Sequence, residues 1–336
     1  MATEPISTPF KVYDAAFYTI LGPKPVLELL IENDQYPFAH EAGIFLASRN
    51  ELFVTSNRLM DAQNQPMVRI SKVIFGDRSK PPTCEDIQCD EIKMGNGGVN
   101  YKDDTSTLFC VQGSFDSPSG ICEMSTSPPY PSKLILSDFY GRPFNSTNDV
   151  IVHRDGSIWF TDPIYGYEQG YRPKPQLPNQ VYRFDPQTRN VRVMADGFER
   201  PNGICFSPDE MIVYVTDTGR VHGDGSIDGM RPSTIYAFDI TTYSGQPFLT
   251  NRRLFAMADS GIPDGIKCDI DGNVYSGCGD GVNVWSPGGI LLGKILVKDG
   301  VSNFCFGREG EMFLLNEQKL WRAQLSGFVR GALLKI

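Results

Sequence analysis

Three segments of the chain open on an oxygen-bearing side chain and continue alike: NDVIVHRDGSIWFTD from Asn148, NGICFSPDEMIVYVTD from Asn202 and DGIKCDIDGNVYSG from Asp264. Looser copies begin at Glu41, Asn96 and Ser302. All six starting residues carry a side-chain oxygen, and none is a thiol or an imidazole. Two carboxylates with several amides form a hard donor set. Such a set suits Ca2+, which takes about six to eight oxygen ligands in flexible geometry, whereas Zn2+ prefers Cys or His. Any one of these residues alone is explained by the preference of Asn and Asp for strand starts and turns. Their recurrence in one phase points instead to a shared polar site.

The elements that must position them follow from the same segments. Apolar residues stand two and four places after each start, Asp stands at the seventh place, and a second apolar run follows. That pattern is a β-hairpin with an acidic turn. Six copies at a mean interval of about 52 residues, with no helix of useful length between them, predict an all-β six-bladed β-propeller formed by a single domain, 1–336. QVYRFD at 180, IYAFDI at 235 and GVNVWSP at 281 supply further strands. VLELLIEN near 26 and KLWRAQL near 319 are expected to pair and close the ring. Equivalent positions of different blades then meet around one axis.

Composition narrows the partners. The 336 residues carry 31 basic and 40 acidic side chains, a net charge of −9, which argues against nucleic-acid binding driven by phosphate neutralisation. No stretch approaches the ~20 apolar residues of a membrane span. The N-terminus shows no basic start followed by an apolar run. The eight cysteines are therefore expected to be reduced thiols in a cytoplasmic protein. No CxxC pair, GxSxG elbow or P-loop occurs.

Secondary candidates surround the repeat starts. His40 immediately precedes Glu41, so it either faces substrate at the channel mouth or is structural. Asp149, Asp162 and Asp217 either orient ligands or cap strand ends. His153 is expected to be exposed in its hairpin turn, and DGSIDG at 224–229 to be a solvated turn. Two Gly/Pro-rich linkers, 163–180 and 219–233, are expected as loops on one face; Tyr165, Tyr167 and Tyr171 either shape an entrance there or pack on the blades.

The stretches NDVIVHRDGSIWFTDPIYG, LPNQVYRFDP, RPNGICFSPDEMIVYVTDT and IPDGIKCDIDGNVYSGCGDGVNVWSPGGILLGKI resemble the gluconolactonase and senescence-marker-protein family, and within it fungal lactonohydrolase-like members. The resemblance implies a six-bladed propeller holding one divalent metal, usually Ca2+. It places the metal ligands on Glu41, Asn148, Asn202 and Asp264. Family members more often have EGP where this chain has Glu41-Ala42-Gly43. The implied function is metal-assisted hydrolysis of a small-molecule lactone, with Asp264 as base and Asp149 and His40 behind it. The alternatives are a related propeller enzyme acting on another carbonyl or phosphoryl substrate, and a non-catalytic ligand-binding propeller.

Overall fold

The computed structural model describes residues 8–78, 80–89 and 91–336. The expectation of no leader rests in part on residues 1–7, which lie outside them. The chain forms a six-bladed β-propeller. The innermost strands are Glu41–Leu46, Gly95–Tyr101, Val150–Val152, Pro201–Phe206, Ile266–Cys268 and Asn303–Phe306. Each begins an antiparallel sheet of four strands, five in the fifth blade. The three looser repeat copies form inner hairpins of the same kind as the three clear ones.

Because each inner hairpin is covered on both faces by neighbouring blades, its strands are largely buried without strict alternation. Ile158–Asp162 and Ser106–Val111 are buried at every position. Outer strands such as Thr83–Ile87 face solvent and carry charge. Aromatic rings fill the wedges between blades. Phe160 stacks on Tyr182 with centroids 5.4 Å apart, and Phe144 meets both edge-on.

The predicted closure is present: Val26–Glu32 pairs antiparallel with Lys319–Gln324, Leu29 opposite Trp321, so the N-terminal strand completes the sixth blade. A second N-terminal strand, Phe10–Val12, adds to the outer edge of the fifth. The acidic turns also form. Asp155 accepts from the Ser157 amide at 2.8 Å and Asp209 from the Met211 amide at 3.1 Å. In the fifth blade Asp269 takes this part, accepting from the amides of Asp271 and Asn273.

Two expectations are corrected. His153 is not exposed: its side chain is 16 % accessible, held between Asp155 and Glu210 and edge-on to Phe206 of the next blade. The linker 163–180 is not wholly irregular, since it contains the short helix Tyr165–Glu168.

Beneath the repeat starts, inner strands of all six blades surround an axial cavity of about 150 Å3. The C-terminal segment crosses its far end. Gly331 bridges to Asp269, the Ala332 amide donates to the Cys268 carbonyl at 2.8 Å, and Leu333 and Leu334 line the cavity. All eight cysteines are unpaired thiols, six of them buried. No helix among the described residues is long and apolar enough to cross a membrane.

Candidate functional site

The repeat starts are held by a closed circuit of interblade hydrogen bonds at one level of the propeller. Thr55 Oγ1 donates to the Asn96 carbonyl at 3.1 Å, and the Gly97 amide to the Asn148 carbonyl at 2.8 Å. Thr161 Oγ1 donates to the Asn202 carbonyl at 2.6 Å, and Thr216 Oγ1 to the Asp264 carbonyl at 3.0 Å. The Gly265 amide donates to the Ser302 carbonyl at 2.8 Å, and Ser302 Oγ to the His40 carbonyl at 2.6 Å. Each blade thus fixes the backbone of the next at its repeat start, or in the first blade at His40, one residue before it.

The residue after each start serves the same circuit. In the third blade Asp149 Oδ1 accepts from the Val150 amide at 2.9 Å, while Oδ2 reaches the Ile204 amide of the fourth blade at 3.1 Å. In the sixth blade Asn303 Oδ1 accepts from the Phe304 amide, while Nδ2 donates to Glu41 Oε2 of the first at 2.6 Å. Glycine is required where these side chains lie against the preceding blade. A Cβ on Gly97 would stand 2.5 Å from Asp149 Oδ1, and one on Gly265 2.3 Å from Asn303 Oδ1. That close approach explains the glycine of the Asn-Gly and Asp-Gly pairs.

The loops leading into the sites are fixed by Asp162 and Asp217. Asp162 accepts from the Asn145 and Ser146 amides at 2.9 and 2.8 Å, and Asp217 from those of Glu199 and Arg200 at 3.0 and 2.9 Å. These are the residues three and two places before Asn148 and Asn202, so both aspartates cap the approach to a candidate ligand.

Glu41, Asn148, Asn202 and Asp264 are all brought to this level, and Glu41 and Asn148 are each about 3 % exposed. The neighbouring Asn202 side chain favours the charged form of the Asp264 carboxylate. Among the described residues, Asn96 Oδ1, Asn148 Oδ1 and Asp264 Oδ1 are buried and accept no hydrogen bond. Burial raises the Glu41 carboxyl above its ordinary range, and the Asp264 charge raises it further. Burial likewise raises Asp264, with His40 opposing. Buried carboxylates and orphaned amide oxygens are costly unless a cation compensates them. Among the described residues no three His, Cys, Asp or Glu side chains form a metal-holding group, so a cation here would need the amides. Their orphaned oxygens fit that need.

His40 and Asp149 differ in what they can offer. His40 is part-buried, with Nδ1 2.7 Å from Glu317 Oε1, and Asn57 Nδ2 holds the other carboxylate oxygen at 3.0 Å. Burial pushes the imidazole pKa down, but the charges of Glu317, Glu41 and Asp264 together raise it. Asp149 has both oxygens engaged by backbone amides. Ser302 spends its hydroxyl on backbone carbonyls.

Sequence reasoning missed Glu317, Asn57 and Asn303. Only Asn303 had a signal, since it follows Ser302 as Asp149 follows Asn148. The loop tyrosines divide. Tyr165 is buried with its hydroxyl on Thr218, and Tyr171 is buried with its hydroxyl 2.7 Å from Gln112, while Tyr167 is exposed. Both long loops are tied together at Glu168, which receives the Arg200 guanidinium and the Gly223 amide.

The SMP-30/Gluconolactonase/LRE-like region matches residues 95–315, about two thirds of the chain. The chain belongs to this family. It is 30 % identical over 311 residues to lactonohydrolase oryL of Aspergillus oryzae, an alignment covering 87 % of this chain and 68 % of that protein. To the gluconolactonase of Zymomonas mobilis it is 30 % identical over 191 residues, covering 54 % of this chain but only 51 % of that one. Among solved structures it resembles a gluconolactonase of Xanthomonas campestris at 27 % identity and a TM-score of 0.74, covering 97 % of this chain and 99 % of that one.

Proposed function

We propose that this propeller is a Ca2+-dependent lactonase: it binds a small-molecule lactone at the axial site and hydrolyses it to the open hydroxy acid. The observation that carries the reading is the convergence of two buried carboxylates with amide oxygens that accept no hydrogen bond. Relatives that carry the names lactonohydrolase and gluconolactonase support the substrate class. Glu41, Asn148, Asn202 and Asp264 would hold the ion, which would supply Lewis-acid polarisation of the lactone carbonyl and stabilisation of the oxyanion.

The chain's own residues do the proton work. Asp264, with Oδ1 free of donors, accepts the proton of the attacking water. As the ring C–O bond breaks, that proton passes to the departing ring oxygen. His40, with Nδ1 fixed by Glu317, lies within the charge influence of Glu41 and Asp264 and keeps its other ring nitrogen for proton transfer. Asp149 holds the third and fourth blades in register and thereby positions Asn148 and Asn202, so the base role passes to Asp264.

A panel of sugar and aliphatic lactones, assayed with chelator and then with added Ca2+, tests the proposal. Hydrolysis that vanishes with chelator, returns with Ca2+ and resists serine-directed inhibitors is the expected result. A calcium-loaded protein inert toward every lactone would move the reading to another carbonyl or phosphoryl substrate, or to a ligand-binding propeller. A cytoplasmic setting belongs to the same proposal and is tested by fractionating the producing cell.

A further inference from the structure

A groove of about 880 Å3 opens between loops of the first three blades, lined by Arg58, Met94, Ser117, Gln169 and Tyr171 among others. Its lining segments lead toward the axial site from two directions. Met94 stands two residues before Asn96, at most ~7 Å along the chain. Arg58 follows Asn57, whose amide holds Glu317 and through it His40. On the other side, the segment bearing Gln169 and Tyr171 begins at Tyr165, which lies within reach of the Asp264 charge.

The groove carries three cations, Arg58, Arg69 and Lys93, and three carboxylates, Asp61, Asp86 and Asp116, so what matters is which of them are already paired. Arg69 is paired with Asp86 at 3.1 Å, and Asp61 accepts from the amides of Gln63 and Gln65. Arg58 is exposed and makes no ion pair among the described residues. Its Nη1 donates to Gln169 Oε1 at 3.0 Å, and the guanidinium lies 6.0 Å from the centre of the Tyr171 ring. Tyr171 is itself fixed by Gln112. The guanidinium is therefore oriented by neutral groups, with donors left for a ligand. Lys93, exposed on the same groove, also has no carboxylate partner among the described residues.

We propose that Arg58 is a specificity residue that receives an anionic substituent of the lactone, a carboxylate or a phosphate, along this groove. The inference rests on the lactonase reading of the axial site. A chain of net charge −9, with Glu41, Asp264, Asp149 and Glu317 around its axis, repels an anion. A guanidinium fork beside the mouth offsets that repulsion and binds either oxyanion by paired hydrogen bonds.

The test compares D-glucono-1,5-lactone with D-glucaro-1,4-lactone and 6-phospho-D-glucono-1,5-lactone on the full chain. The expected result is a lower KM for at least one anionic lactone than for the neutral one. Arg58→Gln lowers the anionic-to-neutral ratio of kcat/KM at least tenfold, and Arg58→Lys restores part of it. Whether the carboxylate or the phosphate carries the preference identifies the oxyanion. A ratio unchanged in Arg58→Gln overturns the proposal and leaves Arg58 as a fastener for the 165–171 segment. If no lactone is turned over, the lactonase reading fails separately. Calorimetric titration of the same three compounds into wild type and Arg58→Gln then decides Arg58 alone, and equal binding overturns it.

Discussion

Asn303 and Glu41 stand 262 residues apart in the chain, yet Asn303 Nδ2 donates to Glu41 Oε2 at 2.6 Å. This bond joins the last blade to the first at the level of the candidate ligands. It sets the direction of a carboxylate whose own backbone is bulged, with Ala42 and Gly43 both at positive φ. A non-glycine residue in that region is strained by about 1 kcal/mol or more. Strain of this kind is kept where the surroundings determine it, and Asn303 is part of those surroundings.

Asn303→Ala should therefore lower Ca2+ affinity by about tenfold to a hundredfold, as expected for loss of a residue that orients a ligand. Calorimetry on metal-stripped protein measures it. Affinity equal to wild type would show that Asn303 does not orient a ligand.

Asp264→Asn keeps an oxygen for the ion but loses the proton acceptor. Turnover at saturating Ca2+ should fall about 100-fold or more, with metal content nearly retained. Asp264→Ala should lose both. Full turnover in the Asn variant would move the base role to His40 or Asp149.

Asp162→Ala leaves the buried amides of Asn145 and Ser146 without their acceptor. The expected loss of stability is about 2–4 kcal/mol, read as a shifted urea midpoint. Asp162→Asn, which keeps one acceptor oxygen, should recover part of it.

Burial alone would raise Glu168, but the Arg200 guanidinium and the Gly223 amide hold its carboxyl below the ordinary value of 4.5. The unfolded chain then binds this proton more tightly than the folded one. The contribution is full above pH 4.5 and is lost as pH falls through the lower folded value. In urea titrations, Glu168→Gln should flatten the stability loss of wild type between pH 5 and pH 3. An unchanged slope would assign that loss to other carboxylates.

Thiol titration of denatured, unreduced protein should approach eight. Native protein should react chiefly at exposed Cys84 and partly exposed Cys89. Cys205 and Cys268, with sulfurs 3.7 Å apart across the fourth and fifth blades, should count as two thiols. A count of six, with a peptide linking residues 205 and 268 in the unreduced digest, would show that this pair is oxidised.

The fold was legible because a propeller repeats one local pattern, and Asn148, Asn202 and Asp264 each announce an inner hairpin. Their shared phase also indicated the candidate ligands. What could not be read was whatever depends on contact between distant segments. Glu317 looks like any acidic turn residue until the ring brings it to His40. His153 looked exposed because its turn is polar, but Glu210 and Phe206 of the neighbouring blade help to cover it. Arg58 had no local signal, since its partners Gln169 and Tyr171 lie more than a hundred residues along the chain.

The C-terminal segment across the far end of the axis decides how material moves through the propeller. With Gly331 bridged to Asp269 and Leu333 and Leu334 lining the cavity, the chain's own residues occupy that end of the axis. A lactone bound at the repeat starts is then expected to enter and leave by the opposite face alone. Incoming and outgoing molecules must then take turns there, and the ring-opened acid is expected to compete with its own precursor.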